Sequence, residues 1–219
     1  MFSGASGPFA PGEIVAIYGV SLGPNTGVIS AFDSVTAMLP TASAGVSVTV
    51  NGIPAPIYFA RADQVNVQIP YEVDGQQAAT ITVNYNGVAS SAETVRIAAS
   101  VPRLYPGIFN QDGSLNSAGN PAPAGSIVVF YATGQGATSP PSGTGRAAAA
   151  PYPSPVAPVR VTIGGQDVEI LFAGLAPATA GVMQVNARIP EGIEATAGVA
   201  LYLSVGNTTS QKGVTLAVR

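Results

Sequence analysis

The sequence predicts an all-β protein made of two tandem sandwiches. Three observations lead there. First, "QVNVQIP" at 64–70 returns as "QVNARIP" at 184–190, with the blocks around it repeated in the same order. Second, short apolar runs alternate with period 2 and close on turn dipeptides. Third, no segment carries helical periodicity over three turns.

The repeat comes first because it sets the domain count. "APGEIVAIYGVSLGP" (10–24) corresponds to "APAGSIVVFYATGQGATSP" (122–140), each an Ala-Pro and a Gly before an apolar run with a Gly-rich exit. "VSVTVNG" then matches "VRVTIGG", and "PIYFA" matches "EILFA". The closing pair is "ATITVNYNGVASSAETVRIAA" (79–99) and "VALYLSVGNTTSQKGVTLAV" (199–218). A single copying event with this long period makes two domains rather than a solenoid. The expected division is 1–100, a Pro/Gly-rich junction at 101–121, and 122–219.

Within each copy the turns are written out. Asn51-Gly52 and Asn86-Gly87 are type I′ hairpin signals, because both central residues of that turn need φ > 0. Gly164-Gly165 and Gly206-Asn207 fill the same slots in the second copy. With 26 Gly and 19 Pro, the chain is punctuated into many short strands. Only "DSVTAML" (33–39) and "LAPATAGVMQ" (175–184) suggest even a single helical turn. Tyr105, Ile108 and Phe109 at the junction are apolar enough to enter a domain seam, which implies a semi-rigid pair.

The copies differ at two places. The second inserts "GQGATSPPSGTGRAAAAPYPSPVAP" (134–158), long for a loop and either mobile or laid as polyproline along a surface. It also inserts "LAPATAGVM" where the first has only "RAD".

Composition narrows function by exclusion. Charged residues are 9% of the chain, against about 25% in an ordinary soluble domain. The eight basic residues are scattered and the net charge is −3, so a nucleic-acid partner is not expected. With no Cys there is no disulfide or thiolate chemistry, and with no His the commonest general base and zinc ligand are missing. No apolar run reaches the ~18–20 residues of a membrane span. "MFSGASGPFAPGEIV" lacks the basic and apolar regions of a signal peptide. The export signal of a secreted parent would therefore lie outside this stretch, and the chain reads as a piece of a longer polypeptide.

Each candidate site has a plain structural reading beside it. Asn110, Asp112, Ser114 and Asn116 alternate like calcium ligands, but the glycine is misplaced and no closing glutamate follows, so a turn is expected. Gln64 and Asn66, with Gln184 and Asn186, are read as recurring structural amides rather than ligand contacts. Tyr58, Tyr71, Tyr85 and Tyr105 would make a sugar-stacking platform or, more ordinarily, sheet-face residues, and there is no Trp. Asp167/Glu169 and Glu191/Glu194 are carboxylate pairs in sequence, with Asp167 and Glu169 expected to face solvent. "GQGATSPPSGTG" lacks the lysine of a phosphate loop. No residue is assigned a catalytic, cofactor-binding or metal-binding role, and no cofactor is expected.

Pro11-Gly12, "IYGVSLGP", "VSVTVNGIPAPIYF", "QVNVQIP" and "NGVASSAETVRI" resemble the IPT/TIG immunoglobulin-like domain. The tandem is similar to the carboxy-terminal domain of large secreted proteins from Acidobacteria such as Solibacter. The resemblance implies two tandem immunoglobulin-like (IPT/TIG-like) β-sandwiches, an extracellular or cell-surface location, and no catalytic residues. The expectation is a non-enzymatic structural or adhesion module that meets a protein partner or its own copies through strand edges. The alternative is a carbohydrate-binding module attached to a secreted hydrolase, with a polysaccharide partner.

Overall fold

In the computed structural model, residues 7–219 are described; 1–6, the start of the stretch read as lacking an export signal, lie outside them. The first copy contributes β1 (Ile14–Tyr18), β2 (Val28–Ile29), β3 (Ala42–Ser43), β4 (Val46–Val50), β5 (Ile53–Pro54), β6 (Ile57–Arg61), β7 (Gln64–Gln68), β8 (Ala78–Tyr85), β9 (Val88–Ala89) and β10 (Glu93–Arg96). These form two antiparallel sheets, β1-β7-β6-β2 and β10-β8-β4-β3, with β5 on β4 and β9 on β8. The inward residues alternate, as in β4, where Val46, Val48 and Val50 are buried between half-buried Ser47 and Thr49. Val15, Ile17, Val65, Val67, Ile81 and Val83 meet them from both sheets and close the first core.

The second copy contributes β11 (Arg103–Phe109), β12 (Ile127–Thr133), β13 (Thr138–Ser139), β14 (Ser154–Pro155), β15 (Val159–Ile163), β16 (Gln166–Asp167), β17 (Ile170–Leu175), β18 (Met183–Arg188), β19 (Val199–Val205), β20 (Thr208–Thr209) and β21 (Thr215–Leu216). Its sheets are β11-β12-β18-β17 and β16-β15-β19-β20, with β21 also on β19 and a β13-β14 ribbon beside them. Phe130, Val185, Leu201 and Leu203 centre a separate core. The chain is two tandem immunoglobulin-like sandwiches.

The copies agree down to single hydrogen bonds. Ile69 N–H donates to Glu13 C=O in one, Ile189 N–H to Ser126 C=O in the other. Ser90 bonds Val83 through both N–H and hydroxyl, and Ser210 bonds Leu203 in the same two ways. Asn51, Gly52, Asn86 and Gly87 all have positive φ, as the type I′ turns require.

The stretch read as a junction holds more order than its Pro/Gly content suggested. Arg103–Phe109 pairs with β12, with an irregularity between Leu104 and Ile108. Ile108 enters the second core, Phe109 sets its edge against Tyr131, and of the three only Tyr105 reaches the seam, beside Thr133 and Glu13. The weak helical candidates are turns. Asp33 accepts from the N–H groups of Val35 and Thr36, and 176–182 is a loop between β17 and β18. A 3-10 turn at Tyr71–Val73, which periodicity did not signal, is the helical element among the described residues.

Candidate functional site

The surface that joins the copies is where polar groups of the two halves converge. It is built mainly from the segments that the copies do not share. The 134–158 insertion lies against the first sandwich: Leu39 N–H donates to Gly145 C=O at 2.9 Å and Ala147 N–H to Ala37 C=O at 2.9 Å. Thr144 Oγ1 accepts from Tyr71 N–H at 2.9 Å. Gln135 is buried and donates its amide to the Tyr71 hydroxyl at 2.9 Å. The 176–182 loop supplies Ala180, whose N–H and C=O both bond the Tyr58 hydroxyl. The insertions also brace each other, through Ala148 N–H to Thr179 C=O and Ala178 N–H to Ala148 C=O.

Close backbone approach dictates several glycines. A Cβ at Gly134 would sit 2.0 Å from the Val101 carbonyl oxygen, and one at Gly136 1.9 Å from that of Ala99. At Gly181 it would meet Gly12 C=O at 2.3 Å. All three have positive φ, so side chains are excluded twice over. Thr133 completes the seam: its hydroxyl accepts from Ile14 N–H at 2.8 Å and donates to Gly181 C=O at 2.9 Å.

Glu13 is the buried charged residue of the seam among the described residues, 1% exposed. Its carboxylate accepts from Ala10 N–H at 2.8 Å and from Arg103 Nε at 3.0 Å, across the two copies. Burial pushes its carboxyl up to about 7, against the opposing pull of Ala10 N–H and the Arg103 guanidinium. Burial likewise lifts the Tyr71 and Tyr105 hydroxyls to about 12 and Tyr58 higher still.

Three of the sequence candidates lie at this seam and the others elsewhere. Tyr58, Tyr71 and Tyr105 sit at the junction, while Tyr85 packs against the first core, so the four do not form one platform. Gln64 bonds Asn66 at 2.8 Å, and Gln184 bonds Asn186 at 2.9 Å: amides two apart on one strand face satisfy each other, identically in both copies. Asp112 caps Ser114 N–H at 3.0 Å, and Asn110 and Asn116 bond each other at 2.9 Å, which is a turn network. Asp167 pairs with Arg160 and Glu169 with Arg188 on the surface. Glu191 and Glu194 are exposed.

A family model described as the IPT/TIG domain matches residues 1–97. No curated protein matches the chain. Among solved structures it is similar to Bacteroides ovatus SGBP-B of a mixed-linkage glucan utilization locus, in complex with a mixed-linkage heptasaccharide. Identity is 12%, the TM-score is 0.31, and the match covers 98% of this chain and 44% of that one. It is also similar to the I9-I11 tandem of titin, with 10% identity, a TM-score of 0.26, and 96% and 61% of the two chains covered. Domains 5-6 of the S-layer protein SbsC match with 15% identity, a TM-score of 0.28, and 100% and 95% coverage. The chain thus spans 44% and 61% of the first two structures.

The sequence carries a sign of the seam where the two repeated phrases differ. Fifth in each repeated phrase, Gln68 stands where the second copy has Arg188. Gln68 is fully buried and accepts from Gly145 N–H at 2.6 Å, whereas Arg188 is exposed.

Proposed function

We propose that the chain is a non-catalytic module of a larger secreted or surface protein, holding two sandwiches at a fixed angle and meeting protein partners through strand edges. The observation that carries this reading is the seam. Most of its polar groups are paired across the copies, with Gln135 Oε1 an unpaired exception, which suits transmitting position rather than hosting a reaction. The low charge of the surface fits contact with neighbouring modules. The modules are taken as 1–100 and 122–219, with 101–121 lending the second its strand β11. The resemblance to the carboxy-terminal domain of secreted Acidobacteria proteins supports the extracellular placement. Among the described residues no helix is long and apolar enough to cross a membrane.

A second reading, carbohydrate binding on behalf of an attached hydrolase, is favoured by one feature. A cavity of about 320 Å³ has Phe109, Tyr131, Gln111 and Gln184 in its lining, an aromatic pair beside amides. A polysaccharide array separates the two. The spacer reading expects no saccharide to be retained. Retention that Tyr131→Ala abolishes would replace it with the glycan reading.

A further inference from the structure

The duplication leaves one place filled in the second sandwich and open in the first. In the second, the linker Ala98–Phe109 enters the groove between the exit of β12 and the β19–β20 hairpin. Ser100 donates to Val205 C=O at 2.7 Å, and Val101 N–H donates to Gly134 C=O at 2.8 Å. Gln211 then clamps Leu104 through both its N–H and C=O, and the chain runs on as β11 along the outer edge of β12.

The matching groove of the first sandwich lies between the exit of β1 and the β8–β9 hairpin. It is an open cleft of about 450 Å³ lined by Val20, Ser21, Leu22, Tyr85, Asn86 and Val88. The equivalence is residue by residue. Ile14 opposite Gln68 and Ile127 opposite Arg188 set the register, placing Val20 with Thr133 and Ser21 with Gly134. Ser21 keeps the left-handed backbone of its counterpart, at φ 58 against φ 81. Tyr85 and Val88 correspond to Val205 and Thr208.

The adjoining strand edge is open beyond Ile14, whose N–H is taken by the Thr133 hydroxyl of the second sandwich. Among the described residues β1 pairs only with β7. Because Ile69 N–H bonds Glu13 C=O and Gly19 N–H bonds Asp63 C=O, the alternate residues Ala16 and Tyr18 turn their backbone groups away from β7. Of their counterparts, Val129 pairs with Phe109 of β11, and Tyr131 lies opposite the irregularity between Leu104 and Ile108. Beside the open cleft, Val20 is 69% exposed and Val88 74%, an apolar rim that a neighbour would cover.

We propose that this cleft and the β1 edge receive the linker strand of a preceding immunoglobulin-like module, an extended apolar segment of the same kind as Ala98–Phe109. The proposal rests on the module reading above and names its partner. Copies of such modules then join head to tail, each closing the groove and edge of the next. One difference shapes the fit. Ser21 has a side chain where Gly134 has none, so the incoming strand sits farther from the backbone than Val101 does, and the exposed valines make up the contact.

The test uses the full chain and the peptide AASVPRLYPGIF, with a scrambled peptide as control, followed by amide NMR. The expected result is saturable shifts at Ala16, Tyr18, Val20 and Val88, with slowed exchange of the Ala16 and Tyr18 amides. Val88→Asp and Val20→Asp, both at exposed positions, should each weaken binding at least tenfold while leaving the rest of the spectrum in place. No saturable shift at millimolar peptide, shifts confined to the second sandwich, or undiminished binding by both variants would overturn the proposal. Any of these, with the array silent and the seam rigid, leaves the module reading standing without this partner.

Discussion

Gln68 and Arg188 show how one side chain reports the environment of a whole strand. The strands around them are copies, yet one residue is an amide enclosed by the other sandwich and the other a cation in water. Glu13 belongs to the same enclosed set, and its titration gives a test at this scale. Its folded carboxyl lies near 7 against an ordinary 4.5, so the folded state holds the proton more tightly than the unfolded chain. This contribution to stability is therefore full below about pH 4.5 and is lost as pH rises through 7. The displacement corresponds to roughly 3 kcal/mol. Denaturant unfolding at pH 5 and pH 8 should show the wild type losing stability at the higher pH. Glu13→Gln should flatten that difference, and an equal loss in the variant would assign it to other groups.

At the scale of elements, strands and hairpins were legible because their signals are local. Alternation in "VSVTVNG" and "VALYLSV" marks buried faces, and Asn-Gly dipeptides mark turns whatever lies nearby. The insertions were legible as differences between copies but not as an interface, because Gly- and Pro-rich loops carry no periodic pattern. Which surface they cover depends on the other sandwich. β11 was hidden for the same reason: "RLYPGIF" reads as a linker until β12 offers it an edge. Glycines separate the two kinds of information. Gly52→Ala, with nothing within 4 Å of the new Cβ, meets only the strain of its positive φ and should cost about 1 kcal/mol. Gly134→Ala has comparable strain plus a clash with a backbone carbonyl, and should cost at least twice that by thermal or denaturant unfolding. Equal costs would mean that the linker does not press on β12's exit as described.

For the whole molecule, duplication explains the folds and divergence explains the assembly. Each copy keeps its own core, while two loops present only in the second grip the first, and the first copy's own groove and its β1 edge beyond Ile14 stay open. The most direct measurement is of orientation: residual dipolar couplings on the intact chain in weakly aligning medium. A single alignment tensor should fit both sandwiches, and shortening 176–182 to a tight turn should split it in two. Two independent tensors in the unaltered chain would show the sandwiches reorienting freely, and the fixed seam would then be wrong.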